Sequence, residues 1–197
     1  MRLTAVQIAL WAAVAVALAG YAAIVWMDGT RSDGTAVTIE QSFRPEFRLT
    51  DATGRAVSNS DFAGRFQLVF FGFTNCPDIC PTTLADVAEV MDALGPDAAR
   101  VQPLFISVDP ERDAGAGLAD YTAAFHPAIL GLTGSSDATR ATAASFKIAY
   151  QKEPQGDTYS MGHSAALYLI GPDGDWLRQF DYGTPAAEIT VDLKSRL

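Results

Sequence analysis

Two thiols offer the most reactive chemistry in this sequence. Cys76 and Cys80 are the only cysteines, and they lie four positions apart, directly after the apolar run 68–71. Thiols on a turn between a buried strand and a helix can form a disulfide, exchange disulfides with a partner, or bind a soft metal ion. Three residues between the cysteines make a wider loop than Cys-x-x-Cys, and this loop permits either a disulfide or a metal ion between the sulfurs.

The sequence also predicts the ionisation of the second thiol. Pro81 suits the first turn of a helix, and apolar residues then recur at helical spacing up to residue 94, so Cys80 should stand at the helix N-terminus. Unpaired N–H groups and the positive end of the helix dipole favour a thiolate there, so we expect a lowered pKa for Cys80. Asp78, between the two cysteines, is expected to be an exposed loop residue whose charge opposes thiolate formation.

Several thiol functions fit the sequence poorly. A purely stabilising disulfide is disfavoured, because a cross-link stabilises more when it closes a longer loop. A thiol–disulfide oxidoreductase usually has Cys-x-x-Cys after a Trp, with a proline facing the thiols, whereas segment 161–164 reads Met-Gly-His-Ser. A peroxiredoxin-type peroxidase needs a Thr three residues before its attacking Cys, and Thr74 stands two before Cys76.

A histidine far along the chain favours a metal site. Two thiolates and the imidazole of His163 would form a soft donor set, which selects Cu(I), with Zn as a competitor, over metals that prefer carboxylates. Three ligands leave an ion under-coordinated, which suits transfer to another site. A packing or capping role for His163 is the alternative. His126, the second histidine, is interpreted as structural, and Met161 as a packing residue rather than a thioether ligand.

The remaining sequence predicts the elements that carry these residues. Apolar runs predict buried strands, and periodic segments predict helices. The predicted strands are 67–73, 101–108, a strand at 164–170 that His163 opens, and 176–180, after a hairpin at 47–57; the predicted helices are 81–94, 118–125, 137–146 and 186–197. This order indicates an α/β, thioredoxin-like domain with a central mixed sheet and helices on both faces. The thiols would lie at the C-terminal end of the first core strand, where such sheets bind ligands.

The N-terminal segment is predicted to be a membrane anchor. Residues 3–27 contain no charged residue, and about 20 apolar residues span a hydrocarbon core. Arg2 on the short side favours a cytoplasmic N-terminus with the domain outside. A signal peptide cleaved near 17–19 is the alternative. We divide the chain into an anchor, a linker and a domain: 1–27 (transmembrane at about 5–27), 28–40 and 41–197.

Charge bears on the choice of partners. The 197-residue chain has a formal net charge of −9 with few lysines and no basic stripe, which argues against a nucleic-acid partner.

Residues 109–113 (Asp-Pro-Glu-Arg-Asp) follow the second core strand, on the same rim as the thiols. We interpret them as the start of a helix, with Asp as cap and Pro in the first position. A docking surface for a metal acceptor is the alternative.

Several motifs resemble one known family. Segment 71–84 (Phe-Gly-Phe-Thr-Asn-Cys-Pro-Asp-Ile-Cys-Pro-Thr-Thr-Leu) resembles the signature of the Sco/SenC copper proteins. Further matches follow in order, and together they extend from about residue 43 to the C-terminus: 107–113, 131–134, His163-Ser164, 168–169 and 172–174. The Cys-x-x-x-Cys-Pro block with a downstream His-Ser is the specific part of this resemblance.

The resemblance implies a membrane-anchored, thioredoxin-like copper chaperone with Cys76, Cys80 and His163 as metal ligands. We expect a protein that is not an enzyme, with a thiol–disulfide reductase activity of Cys76 and Cys80 as the alternative. The resemblance also implies that copper, as Cu(I) with Cu(II) as a second state, is delivered to the binuclear copper A centre on subunit II of cytochrome c oxidase. The implied location is the bacterial inner membrane, with the domain facing the periplasm. A copper donor protein and a thiol reductant are further implied partners. The alternative is a thiol–disulfide oxidoreductase that reduces the cysteines of that centre or of other envelope proteins.

Two positions depart from the family's pattern. The family commonly has an aspartate immediately before the histidine, where this chain has Gly162, so the neighbouring residue supplies no acidic partner for the imidazole. Asn75 stands where a histidine is frequent, which removes one candidate donor.

Oxidation to a Cys76–Cys80 disulfide is expected to expel the metal, so copper loading and thiol redox state should be linked.

Overall fold

A computed structural model describes residues 5–30 and 43–197, and these belong to two separate units. The first unit contains a single described helix, α1 (Ala5–Thr30). Within the described part of the chain, no helix has both the length and the apolar character needed to cross a membrane. The anchor at 5–27 therefore stays a prediction. Most of the predicted linker, residues 31–40, lies outside the described residues, as do residues 1–4, 41 and 42.

The second unit alternates strands and helices along most of its length. Its elements are β1 (Arg48–Asp51), β2 (Ala56–Ser58), β3 (Phe66–Gly72), α2 (Ile79–Leu94), β4 (Val101–Ser107), α3 (Ala116–Ala123), β5 (Leu130–Thr133), α4 (Ser136–Ser145), β6 (Tyr150–Gln155), β7 (Thr158–His163), β8 (Leu167–Ile170), β9 (Trp176–Phe180) and α5 (Ala186–Lys194). Short 3₁₀ helices follow β2 and α2, at Asn59–Phe62 and Gly95–Arg100. Each strand and helix range predicted from the sequence contains an element of the predicted type, with ends shifted by a few residues, but the start of the strand at His163 and the start of a helix at 109–113 were predicted wrongly.

Seven strands form one mixed sheet in the order β2-β1-β5-β4-β3-β8-β9. The three central strands β3, β4 and β5 run parallel, whereas β1 and β8 pair antiparallel with the outer two of them. Strand β3 is buried along its whole length because packed layers cover both of its faces. The predicted mixed sheet is thus confirmed. Phe73 and the segment that carries Cys76 follow directly after the C-terminal end of β3.

Helices cover both faces of this sheet, as predicted. On one face, Phe105 of β4 packs against Tyr121 of α3, with ring centroids 5.7 Å apart. On the other face, Phe71 of β3 packs against Phe146, directly after α4, at 5.1 Å. Helices α2 and α5 pack against each other. Because neighbouring strand residues point to opposite faces, Phe70 and Phe71 divide the core into these two layers.

Strands β6 and β7 form a separate two-stranded sheet, and here the sequence-based prediction was wrong. His163 does not open the strand beside β3. It is the last residue of β7, opposite Tyr150 of β6, and β8 begins at Leu167. The hairpin gives no apolar signal in the sequence because β6 is exposed from Gln151 to Gln155.

Candidate metal centre

The cysteine loop, defined here as residues 74–78, leads from the end of β3 to α2. Helix α2 begins at Ile79, so Cys80 is its second residue and Pro81 lies in its first turn, as the sequence predicts. The Cys76 N–H donates to the Phe73 carbonyl at 3.2 Å. The Cys80 N–H donates to Cys76 Sγ at 3.4 Å, so an N–H of the first helical turn points at the first thiol. Neither thiol is in a disulfide in this structure.

His163 comes to the cysteines across 83 residues of chain, with its Nε2 atom 3.6 Å from Cys80 Sγ. The three donor atoms of Cys76, Cys80 and His163 all lie within 4.8 Å of one another. Thiolate and imidazole ligands lie about 2.3 Å and about 2.0 Å from a bound zinc ion, so three donors around an ion of this size stand roughly 3.5–4 Å apart. Small side-chain rotations would therefore bring all three atoms to bonding distance of one ion.

The imidazole of His163 is held in the orientation that a metal ligand requires. Its Nδ1 atom lies 3.0 Å from the Ser164 carbonyl oxygen. A carbonyl only accepts, so Nδ1 carries the proton and Nε2 presents its lone pair toward the thiols. Phe70 and Phe73 pack edge-on against the ring, at 6.1 Å and 5.8 Å between centroids. The Ser164 carbonyl thus supplies the outer partner that metal-bound histidines usually have.

The prediction of a lowered pKa for Cys80 was wrong. Cys80 is completely buried, and this burial raises the pKa of its thiol far above the ordinary value, with a further increase from the hydrogen bond to Cys76. A hydrogen bond from the Phe73 backbone opposes the rise. The helix terminus contributes about 0.3–2 kcal/mol, too little to offset the desolvation of a buried thiolate. Cys80 is consequently a neutral thiol until a metal displaces its proton.

The pKa of His163 is lowered, because burial disfavours the imidazolium, while the hydrogen bond with the Ser164 backbone acts in the opposite direction. A neutral imidazole near neutral pH is the form that binds a metal. Burial therefore acts on the two ligands in different ways. It prepares His163 for a metal ion and keeps Cys80 protonated in the ion's absence.

The other candidate residues have ordinary structural roles. Met161 is buried in the core, in agreement with a packing residue. His126 accepts a hydrogen bond from the Ala128 N–H at 3.1 Å, and its Nε2 lies 3.6 Å from an Asp92 carboxylate oxygen. Asp78 is exposed, as predicted.

Residues 109–113 form a turn, and the prediction that a helix starts there was wrong, because α3 begins only at Ala116. The N–H groups of Arg112 and Asp113 both donate to the Asp109 carbonyl. The carboxylates of Asp109 and Asp113 are each only 1% exposed. Buried carboxylates must be paired or hydrogen-bonded, so this turn has partners that the sequence did not reveal.

Gly162 has an acidic neighbour across the hairpin. A Cβ atom at this position would collide with the carboxylate of Glu153 in β6. The Glu153 carboxylate accepts a hydrogen bond from Gln151 at 3.0 Å. The space beside His163 that an aspartate side chain at position 162 would use is thus occupied by a carboxylate from the facing strand.

Comparisons with known proteins agree with this geometry. A family model described as SCO1/SenC matches residues 35–197. The mitochondrial SCO2 homolog of Bos taurus is 40% identical over 156 residues, which cover 77% of this chain and 59% of that protein. The chain thus spans less than two thirds of that relative's length.

Two solved structures are also similar. ScoI of Bradyrhizobium japonicum with copper bound is 39% identical, with a TM-score of 0.73 over 79% of this chain and 99% of that one. BsSco, described as having a disulfide switch and as a member of the Sco family of cytochrome c oxidase assembly proteins, is 30% identical, with a TM-score of 0.63 over 78% of this chain and 93% of that one. A donor set of two cysteines and one histidine fits copper. The chain belongs to the SCO1/SenC family.

Proposed function

We propose that this protein binds one copper ion through Cys76 Sγ, Cys80 Sγ and His163 Nε2 and transfers it to an acceptor. The observation that carries the proposal is the convergence of these three donor atoms within 4.8 Å of one another. Thiolate ligands select Cu(I) among the available ions. The copper-bound ScoI structure supports the choice of metal, since that protein shares 39% of its sequence with this chain.

The environment of the donors suits transfer rather than storage. Three protein ligands leave a coordination position for an incoming ligand of the acceptor. Cys76 and His163 are both partly exposed, whereas Cys80 is buried, so an acceptor can approach the ion from the side of these two ligands. The neutral Cys80 thiol recovers its proton when the ion leaves, because burial disfavours the free thiolate. Release is thereby coupled to uptake of a proton.

We infer that the acceptor is the binuclear copper A centre on subunit II of cytochrome c oxidase. The description of BsSco as an assembly protein of this oxidase supports that inference. In this proposal, residues 5–27 anchor the chain in the bacterial inner membrane and the domain faces the periplasm. A copper donor protein loads the site, and a thiol reductant keeps Cys76 and Cys80 reduced.

Copper titration of the reduced full chain tests the site. Wild type should bind one equivalent tightly, and Cys76→Ser, Cys80→Ser and His163→Ala should each lose tight binding. His126→Ala is the matched control, because it removes the chain's only other histidine and should leave the stoichiometry and affinity unchanged. Full copper binding by any of the three ligand variants would contradict the proposed site.

The oxidoreductase alternative makes a different prediction for the same histidine variant. A disulfide reductase needs the two thiols but not the imidazole, so His163→Ala would retain disulfide exchange and would still support oxidase assembly. A copper chaperone loses assembly with this substitution. Complementation of a strain that lacks the chromosomal copy, with copper A content as the readout, separates the two functions.

A further inference from the structure

The turn at 109–113 contacts both halves of the metal centre. Asp113 accepts hydrogen bonds from the cysteine loop, whereas Asp109 and Arg112 contact the hairpin β6–β7, which carries His163 and is called the histidine hairpin here. Resting on the proposed copper function, we propose that this turn positions the two halves independently. Asp113 positions the cysteines, and the Asp109–Arg112 pair positions the histidine through Tyr159.

The side chain of Asp113 is buried, and both of its carboxylate oxygens accept hydrogen bonds. Its Oδ2 accepts from the Thr74 N–H at 2.9 Å and from the Ser107 hydroxyl at 2.8 Å. Its Oδ1 accepts from the Thr74 hydroxyl at 2.5 Å. Charge-assisted bonds of this kind are about twice as strong as neutral ones. Thr74 stands two residues before Cys76, so three such bonds fix the start of the cysteine loop against the end of β4.

Asp109 and Arg112 hold the histidine hairpin by three contacts, all of them with Tyr159. Tyr159 donates its hydroxyl proton to Asp109 Oδ1 at 2.9 Å. Arg112 donates to the Tyr159 carbonyl at 3.0 Å, and its guanidinium lies 3.8 Å from the centre of the Tyr159 ring. Arg112 and Asp109 also form an ion pair with each other. Tyr159 lies in β7, four residues before His163, so these contacts set the position of the strand that ends in the histidine.

A further contact between the turn and the histidine hairpin is exposed. Lys152 of β6 donates to Glu111 at 2.6 Å, and the two side chains are 46% and 57% exposed. Exposed ion pairs contribute little, about 0–1 kcal/mol. The buried carboxylates of Asp109 and Asp113 therefore carry the positioning, and Glu111 serves as a residue of the same turn whose replacement should have little effect.

Separate contacts predict separate effects on the site. Loss of the Asp113 bonds should displace the cysteines whether or not the histidine is present. Loss of the Tyr159 hydroxyl should matter only while His163 is a ligand. The Asp113 carboxylate and the Tyr159 hydroxyl share no hydrogen-bond partner, although the Ser107 hydroxyl joins that carboxylate to the Asp109 N–H, which donates to the hydroxyl at 3.0 Å. Groups without a shared partner add in their effects, whereas groups that act through one ligand do not. A comparison in the wild-type and His163→Ala backgrounds therefore distinguishes positioning of each ligand from a general loss of stability.

The experiment measures Cu(I) affinity of the full chain by competition with a chromophoric chelator. Asp113→Asn should weaken binding about 10–100-fold, as replacement of outer partners of metal ligands does, and should weaken the residual binding of His163→Ala as well. Tyr159→Phe should weaken binding in the wild-type background and add nothing to His163→Ala. Thr74→Val removes only one of the three hydrogen bonds to Asp113, so it should weaken copper binding less than Asp113→Asn does. If Asp113→Asn does not fold, Thr74→Val tests the same contact.

Matched controls exist for both halves. Asp51 accepts from the N–H and the hydroxyl of Thr53 at 2.9 and 2.6 Å, in the same manner as Asp113 with Thr74, but at the β1–β2 turn. Asp51→Asn should therefore leave copper affinity unchanged. Tyr182 is 47% exposed, and Tyr182→Phe is the control for Tyr159→Phe. If Asp51→Asn weakened copper binding as much as Asp113→Asn, positioning of the cysteines by Asp113 would be wrong. Equal weakening by Tyr182→Phe and Tyr159→Phe would likewise contradict positioning of the histidine through Tyr159.

A copper-free measurement keeps this inference separate from the proposed function. Asp113→Asn should accelerate alkylation of Cys76 in the metal-free protein by severalfold, because the loop is released. Tyr159→Phe should instead shift the imidazole resonances of His163 and leave the alkylation rate unchanged. If neither measurement changes, the positioning proposal is wrong even where copper binds. If both change but wild type binds no copper, the positioning stands and the copper function fails.

Discussion

The sulfur of Cys80 lies 2.9 Å from the point that a Cβ atom on Gly72 would occupy. The ring of Phe105 lies 2.7 Å from the same point, and both neighbours are buried. Strand β3 therefore ends in a glycine because the thiol at the start of α2 packs directly against its backbone. This contact also explains why Cys80 is desolvated.

Gly72→Ala should destabilise the protein and displace Cys80. The added methyl group has no space, and overpacking of a core costs about 1–3 kcal/mol. We expect a loss of unfolding free energy in this range, measured by urea denaturation of the metal-free protein. Weaker copper binding should accompany it. A variant as stable as wild type would contradict the close packing of β3 against the thiol.

Gly162→Ala should behave differently, although its methyl group would also meet another side chain. The obstacle is the carboxylate of Glu153, which is exposed and can rotate into solvent. Glycine inside a strand costs about 0.5–1 kcal/mol relative to alanine, so the free energy of unfolding should remain unchanged or rise slightly. Urea denaturation beside Gly72→Ala measures both effects under the same conditions. A loss as large as that of Gly72→Ala would show that Glu153 is fixed in place.

The stability of the copper-free protein should fall at both ends of the pH range. The pKa of His163 is lowered in the folded state, so the unfolded chain binds more protons as the pH falls below about 6.5, and folding is weakened there. The pKa of Cys80 is raised, so its contribution is present below the unfolded value of about 8.5 and is lost as the pH rises above it.

Urea denaturation across this pH range checks these two effects. His163→Gln should reduce the acid-side dependence, and Cys80→Ala should reduce the alkaline-side dependence. His126→Gln is the control for the first substitution. An unchanged acid-side slope in His163→Gln would contradict the assignment of that effect to the buried imidazole.

The proton of the His163 imidazole should be found on Nδ1 in the reduced, copper-free protein. The carbonyl of Ser164 can only accept a hydrogen bond, and it lies 3.0 Å from this nitrogen. Nitrogen-15 chemical shifts of the imidazole distinguish the two tautomers directly, and His126→Gln identifies the signals of His163. A proton on Nε2 would mean that the ring is not prepared to bind a metal through that atom.

Oxidation of the cysteine pair should abolish copper binding. Formation of a Cys76–Cys80 disulfide releases two protons and two electrons to an added disulfide oxidant, and it removes both thiolate ligands at once. Copper titration before and after oxidation, followed by reduction with a thiol reagent, should show loss and full recovery of one equivalent. Retention of copper by the oxidised protein would contradict the role of both sulfurs as ligands.

Much of the sheet could be predicted from local patterns. The apolar runs of β3 and β4 identify strands buried on both faces, and Pro81 with its periodic apolar residues identifies α2. Strand β5 was not predicted because four residues that include a glycine give too short a signal. The histidine hairpin was missed because β6 is exposed from Gln151 to Gln155 and carries no hydrophobic alternation, and because β7 has a single buried residue, Met161.

The sequence by itself determined the two thiols, their spacing and their place at the end of β3, because these depend on residues close together in the chain. Only the tertiary structure decided how they behave. His163 reaches Cys80 over 83 residues, through a hairpin held by the buried carboxylate of Asp109. The raised pKa of Cys80 likewise follows from burial against Gly72 and Phe105. Desolvation and long-range hydrogen bonds depend on which segments meet in space, and local sequence patterns do not contain that information.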